Sequence, residues 1–295
     1  MRQVKADDIN QDIYDLFDDY VHDRISRRTF FSRVTQYTAA GISAAAIFDF
    51  LSPRYAEAQQ IAEDDPRLKN EMLTYDSPKG AGTMNGLLSR KVDNKDKLPG
   101  IVVVHENRGL NPHIRDVARR TALEGFIAFA PDALFPFGGY PGTDDEGRAM
   151  QGKRDRNEML EDFIAAFQFL KSHPECDGNV GVVGFCFGGW IANMMAVRIA
   201  DLKASVPFYG GQPSEEETAM IKAPLLLHYA ELDKRVNEGW PAYESALKKY
   251  NKDYTAFVYP GVNHGFHNDT TPRYDETAAK LAWKRTVEFF KAKVK

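Results

Sequence analysis

The chain has 295 residues, 43% of them hydrophobic, with a formal net charge of −4 and an isoelectric point near 6.0. That length can bury one large α/β core. The acidic balance argues against nucleic acid as a general partner, and no run of about eighteen strongly apolar residues offers a membrane span.

The first 25 residues are acidic. Ile9, Ile13, Leu16, Phe17, Tyr20 and Val21 recur at helical spacing, which predicts an amphipathic helix. Ser26-Arg27-Arg28-Thr29-Phe30-Phe31 resembles a twin-arginine export signal, followed by a weakly apolar run over 39–48 and a small-x-small cleavage pattern at Ala56-Glu57-Ala58. Periplasmic export is the expectation from that pattern. The alternative is a helical hairpin that stays attached, packed on the body or on a second subunit of a homodimer. The acidic lead before the arginines and Asp49 inside the apolar run favour the alternative. Residues 1–60 are therefore set apart from a catalytic domain over 61–295.

Residues 72–75 and 84–88 read as an antiparallel hairpin across Ser77-Pro78-Lys79-Gly80. Regular alternation begins after Pro99. Strands are predicted at 101–104, 126–130, 180–185, 204–208, 225–229 and 255–259. Helices are predicted at 114–123, 159–170, 190–196, 243–250 and 278–291. Strands alternating with helices of this length predict an α/β fold, a mostly parallel sheet covered on both faces. Residues 133–157 read as one long loop over the strand ends, with an aromatic stretch at Phe135-Pro136-Phe137-Gly138-Gly139-Tyr140.

The stretch Val180-Gly181-Val182-Val183-Gly184-Phe185-Cys186-Phe187-Gly188-Gly189 carries the chemistry. A valine-rich buried strand runs into Gly-x-Cys-x-Gly, a nucleophile elbow with a thiol in place of the usual hydroxyl. A helix N-terminus then sits under the sulfur and favours thiolate. The other cysteine, Cys176, and Cys186 flank that strand. At roughly 3.3 Å per residue the two are about 25–30 Å apart, beyond the roughly 7 Å reach of a disulfide. Cys186 is therefore a free thiol and the candidate nucleophile.

Its partners should follow the later strands, because ligands of open α/β sheets sit at the strands' carboxyl ends. Asp233 fits as the acid after 225–229, with Glu231 as its rival. His264 fits as the base after 255–259, with His267 as its rival, whereas His228 lies within a strand and reads as core. The order nucleophile, acid, histidine is that of the α/β-hydrolase fold. The backbone N–H groups of Asn107 and Phe187 fit an oxyanion hole. His105 and Glu106 are adjacent, but neighbouring strand residues face opposite ways and no metal-ligand spacing occurs, so no metal is expected.

Together, His105-Glu106-Asn107-Arg108-Gly109-Leu110, the elbow, Asp233 and Pro260-Gly261-Val262-Asn263-His264-Gly265-Phe266 resemble the dienelactone hydrolase family over roughly residues 70–295. The resemblance implies hydrolysis of small esters or lactones without a cofactor, through a triad of Cys186, His264 and Asp233. It also implies that Glu106 contacts the resting thiol and holds it neutral. The family's two carboxylate-binding arginines are missing at their expected positions: the loop after the fourth strand has none, and Asn268 stands four residues past His264. Phe135, Tyr140 and Arg108 are the candidate substrate contacts, and the aromatic loop predicts neutral or apolar acyl groups. A thiol protein that is redox-active or forms adducts without turnover is the competing expectation.

Overall fold

The computed structural model describes residues 4–37, 42–93 and 96–295, so residues 39–41 of the apolar run lie outside the described residues. The N-terminal segment forms four helices, α1 (Gln11–Val21), α2 (Arg27–Val34), α3 (Ala44–Leu51) and α4 (Tyr55–Ala58). The first three begin on side-chain caps. Asn10 accepts from the Ile13 amide, Ser26 from Thr29 and Ser43 from Ala46. Ile13, Phe17, Phe30, Val34, Ile47 and Leu51 bury one another in a small core of their own. The Phe30 ring sits edge-on to Phe17 at 5.9 Å and 5.5 Å from Tyr20. Arg27 is helical and lies 3.1 Å from Asp145 of the body, while Arg28 is exposed. Among the described residues no helix is long and apolar enough to cross a membrane.

The body follows in the order β1 (Leu68–Ser77), β2 (Gly82–Lys91), β3 (Leu98–Val104), α5 (Pro112–Leu123), β4 (Ile127–Pro131), α6 (Asp144–Gln151), α7 (Arg156–Ser172) and β5 (Cys176–Phe185). Then come α8 (Phe187–Arg198), β6 (Ala204–Phe208), α9 (Glu215–Met220), β7 (Leu225–Ala230), α10 (Lys234–Asn237), α11 (Trp240–Lys249), β8 (Tyr254–Tyr259) and α12 (Glu276–Lys293). The eight strands form one sheet in the order β1-β2-β4-β3-β5-β6-β7-β8. β1 and β2 pair antiparallel, as do β2 and β4; every other pairing is parallel. Phe163, Ile191, Tyr243 and Leu247 from α7, α8 and α11 fill one face. Ile114, Val117, Ala282 and Phe290 from α5 and α12 fill the other. β3 and β5, buried on both sides, carry the continuous valine runs that such strands require.

The stretch 133–157 departs from the expected loop. It holds a 3-10 turn at Phe135–Phe137 and the helix α6, and α7 begins within it at Arg156. Local capping outweighs the glycines: Thr143 caps α6 ahead of the acidic first turn Asp144, Asp145 and Glu146, and Asp155 caps α7. Replacing fully buried Phe30 by Ala removes the centre of the N-terminal core. We expect a loss of about 3–5 kcal/mol in that layer. Limited proteolysis should then cut residues 22–60 while the body stays intact.

Candidate active site

β5 ends at Phe185, and the chain turns at Cys186 with φ 57° and ψ −110° before α8 begins. This strained turn is enforced by close backbone crossings. A Cβ at Gly184 would lie 1.9 Å from the Gly188 carbonyl oxygen, and one at Gly188 would lie 2.4 Å from that of Val104. Neither crossing leaves room for a side chain. The Cys186 amide donates to the Phe208 carbonyl at 3.0 Å, which fixes the turn to β6. The thiol is 8% exposed.

Asp233 follows β7 and His264 follows β8, and the structure brings them together. His264 Nδ1 and Asp233 Oδ2 are 2.6 Å apart, while Asp233 Oδ1 accepts from the Val236 amide at 3.1 Å and caps α10. The other imidazole nitrogen, His264 Nε2, is buried without a hydrogen-bond partner. A ring nitrogen of His264 lies within 4.8 Å of Cys186 Sγ. The rivals are occupied elsewhere. Glu231 accepts from the Gly261 amide at 2.7 Å, and His267 is buried and stacked on Phe185 at 5.1 Å. His228 is a satisfied core residue, bonded to Tyr259 and Thr286. Among the described residues, the amides of Asn107 and Phe187 have no partner within the protein.

The expectation for Glu106 requires correction. Its carboxylate accepts from Asn268 Nδ2 at 2.9 Å and lies 3.9 Å from Arg108 Nε, so it makes an internal pair and no hydrogen bond to the thiol. Burial pushes the Glu106 carboxyl up, but Arg108 and His113 outweigh that and hold it below its ordinary value. The thiol's partner is a residue that no motif indicated. His22, just past α1, brings Nε2 to 3.2 Å from Cys186 Sγ. Its Nδ1 is 2.8 Å from the Asp18 carbonyl oxygen and 3.1 Å from the Asp18 carboxylate. Arg235 joins this network, donating from Nε to Asp18 at 2.9 Å, with its Nη2 3.0 Å from His22 Nε2 and 3.2 Å from His264 Nδ1. The only sequence signal was the pair of polar residues Asp18 and His22, one helical turn apart beside an apolar stripe.

The substrate candidates also separate. Phe135 packs on the body core and lines none of the cavities beside the thiol, because the 3-10 turn folds its ring inward. Arg108 and Tyr140 both reach Asp144 and line a cavity of about 520 Å³ that Phe17, Val21 and Phe48 also line. A second cavity of about 230 Å³ lies between α1 and α10, lined by Asp18, Asp233, Arg235, His264 and Arg273. Arg273 is buried there, 3.6 Å from Asp18, with Nε and Nη1 lacking partners.

Electrostatics favour a charged resting pair. Burial pushes the Cys186 thiol up, yet the charges of His22 and His264 bring it well below its ordinary value. Burial pushes His264 down, and Asp233, Asp18 and the thiolate overcome it and raise it to about 10. Burial likewise pushes Asp233 up, and His264 brings it below the ordinary carboxylate value.

The family of dienelactone hydrolases has a model that matches residues 84–294. The chain belongs to the dienelactone hydrolase family. A separate model, described as YqhI-like, matches residues 1–37. Protein usf of Aquifex pyrophilus is 39% identical over 210 residues, which cover 65% of this chain and 87% of that protein. A Synechocystis protein provisionally named a carboxymethylenebutenolidase is 32% identical over 215 residues, 67% of this chain and 87% of its own length. Among solved structures, a dienelactone hydrolase-like promiscuous phosphotriesterase from metagenomic libraries superposes with a TM-score of 0.67 at 26% identity, covering 78% of this chain and 100% of that one. The dienelactone hydrolase relationship makes the protein a hydrolase on an α/β fold.

A thiol whose pKa is depressed stays ionised as pH falls, so iodoacetamide labelling of Cys186 should be nearly flat from about pH 8.5 down to about pH 6, where an ordinary thiol would slow. Replacing His22 by Ala removes the largest opposing charge and should restore a steep rise with pH. Glu106→Gln should leave the profile where it is.

Proposed function

We propose that the protein hydrolyses small carboxylic esters or lactones through a thioester on Cys186. The observation that carries the reading is the His264–Asp233 contact of 2.6 Å, with His264 Nε2 unpartnered beside a thiol on a strained elbow. In this reading Sγ attacks the carbonyl carbon and a C–S bond forms while the carbonyl π electrons move to oxygen. The Asn107 and Phe187 amides receive that oxyanion. As the tetrahedral intermediate collapses, His264 gives its proton to the departing alkoxide. Water, deprotonated by the same imidazole, then attacks the thioester and the thiolate leaves. Asp233 holds the ring and stabilises its cation throughout.

The expected preference for neutral acyl groups gives way to a preference for anionic ones. Arg235 and Arg273 line the cavity that holds His264 and Asp233. Both face the Asp18 carboxylate, and Arg273 keeps two buried donors without partners. Buried guanidinium donors without hydrogen bonds are costly, which supports a substrate carboxylate taking the place of Asp18 before them. Withdrawal of α1 would expose that site together with Asn107, whose Nδ2 donates to the Val21 carbonyl at 2.6 Å.

For residues 1–60 we infer a retained part of the folded protein. Their capped helices, their own core and their ion pairs to the body support this. Changing Arg27 and Arg28 together to Lys should then leave the protein full length in the same cell fraction. Accumulation of a cytoplasmic precursor would favour export instead.

Cys186→Ala should lower ester turnover by several orders of magnitude and abolish the acyl adduct seen by intact mass with wild type. Near-wild-type turnover in that variant would reject the nucleophile. A neutral lactone turned over faster than its carboxylated analogue would reject the anionic preference alone.

A further inference from the structure

Three donors from widely separated parts of the chain converge at the elbow. Cys186 Sγ and one ring nitrogen each of His22 and His264 all lie within 4.8 Å of one another, and His22 Nε2 is 3.2 Å from the sulfur. Each imidazole is held from behind by a carboxylate. Asp233 Oδ2 is 2.6 Å from His264 Nδ1, and Asp18 is 3.1 Å from His22 Nδ1. That leaves His22 Nε2 against the sulfur and His264 Nε2 buried without a hydrogen-bond partner.

We propose that Cys186, His22 and His264 form a three-ligand site for a zinc-class divalent cation, with the fourth position left to water. One thiolate and two imidazoles are a soft donor set that suits zinc and cobalt and excludes magnesium and calcium. Tetrahedral bonding at roughly 2.3 Å to sulfur and roughly 2.0–2.1 Å to nitrogen sets the S···N separation at about 3.5 Å. The Cys186–His22 contact of 3.2 Å is within a few tenths of an ångström of that value. The third corner needs only a small side-chain approach by His264. The carboxylates behind the imidazoles are the usual outer partners of metal-bound histidine, fixing the tautomer that leaves Nε2 free to bind.

One group must yield. Arg235 Nη2 lies 3.0 Å from His22 Nε2 and 3.2 Å from His264 Nδ1 and would move aside, while its Nε keeps the bond to Asp18 at 2.9 Å. The bound cation would occupy the thiol's lone pair and tie residue 22 to the body. The hydrolase would then be silent and its N-terminal segment held shut. The site uses the thiol of the proposed hydrolysis but does not depend on that reaction, since metal binding is read without substrate.

The test uses the reduced, full-length, chelator-stripped protein, with zinc titrated against a chromophoric chelator and cobalt as a spectroscopic probe. The expected result is one equivalent bound, with a thiolate-to-cobalt charge-transfer band that Cys186→Ser abolishes. His22→Ala and His22→Gln should each weaken zinc at least about tenfold, and Asp18→Asn about 10–100-fold. Circular dichroism confirms that each variant is folded. Zinc should also block iodoacetamide at Cys186 in the wild type. Less than one equivalent, no charge-transfer band, or unchanged zinc affinity in both folded His22 variants would overturn the proposal. The last outcome would leave only an ordinary thiol–histidine pair.

Discussion

The turn at Cys186 is the constraint on which the site depends. A positive φ at a residue with a side chain is costly, and it survives only where the surroundings fix it from several directions. Here β5 is locked between β3 and β6, Gly184 and Gly188 allow backbones to cross at contact distance, and the Phe208 carbonyl holds the Cys186 amide. The sulfur therefore has one position. The chain ends after β7 and β8 are set by the same parallel sheet, so Asp233 and His264 arrive at that position without further devices.

What the sheet does not supply comes from outside it. The α1 helix lies over the strand ends and inserts the side chain of His22 beside the sulfur, while Asp18 fills the space in front of Arg235 and Arg273. A carboxylate and an imidazole from one helix thus occupy the two places that a substrate's charge and the reacting centre would claim. The segment is at once a wall of the site and an occupant of it. Residues 1–37 match a family model of their own, distinct from the one that matches the body.

How much of this was legible in the sequence depended on distance along the chain. The valine runs of β3 and β5, the glycines of the elbow and the acid and histidine after β7 and β8 were readable, because each is a local pattern whose cause is local. The α6 helix was hidden behind the glycines and prolines of 133–142, although Thr143 and its acidic successors carried a cap signal. The Glu106 contact was misjudged because its partners, Asn268 and Arg108, compete for it through three-dimensional packing. His22 and Arg235 meet across more than two hundred residues, and no spacing rule connects them. Arg235 in particular stands in a four-residue helix that had no sequence signature.

The ion pairs that fasten α1 differ in their depth, and this grades its attachment. Lys234–Asp15 and Arg27–Asp145 join exposed side chains at the rim, whereas Arg235–Asp18 and Arg273–Asp18 sit in a partly or fully dry interior. Dissolved salt screens charges over about 8 Å at physiological ionic strength, and it weakens rim pairs far more than enclosed ones. Raising the ionic strength therefore loosens the outer grip of the segment first and leaves Asp18 and His22 seated. Ionic strength thus distinguishes an outer fastening of the segment from an inner one, and the inner one is the pair of residues that stands at the thiol and before the arginines.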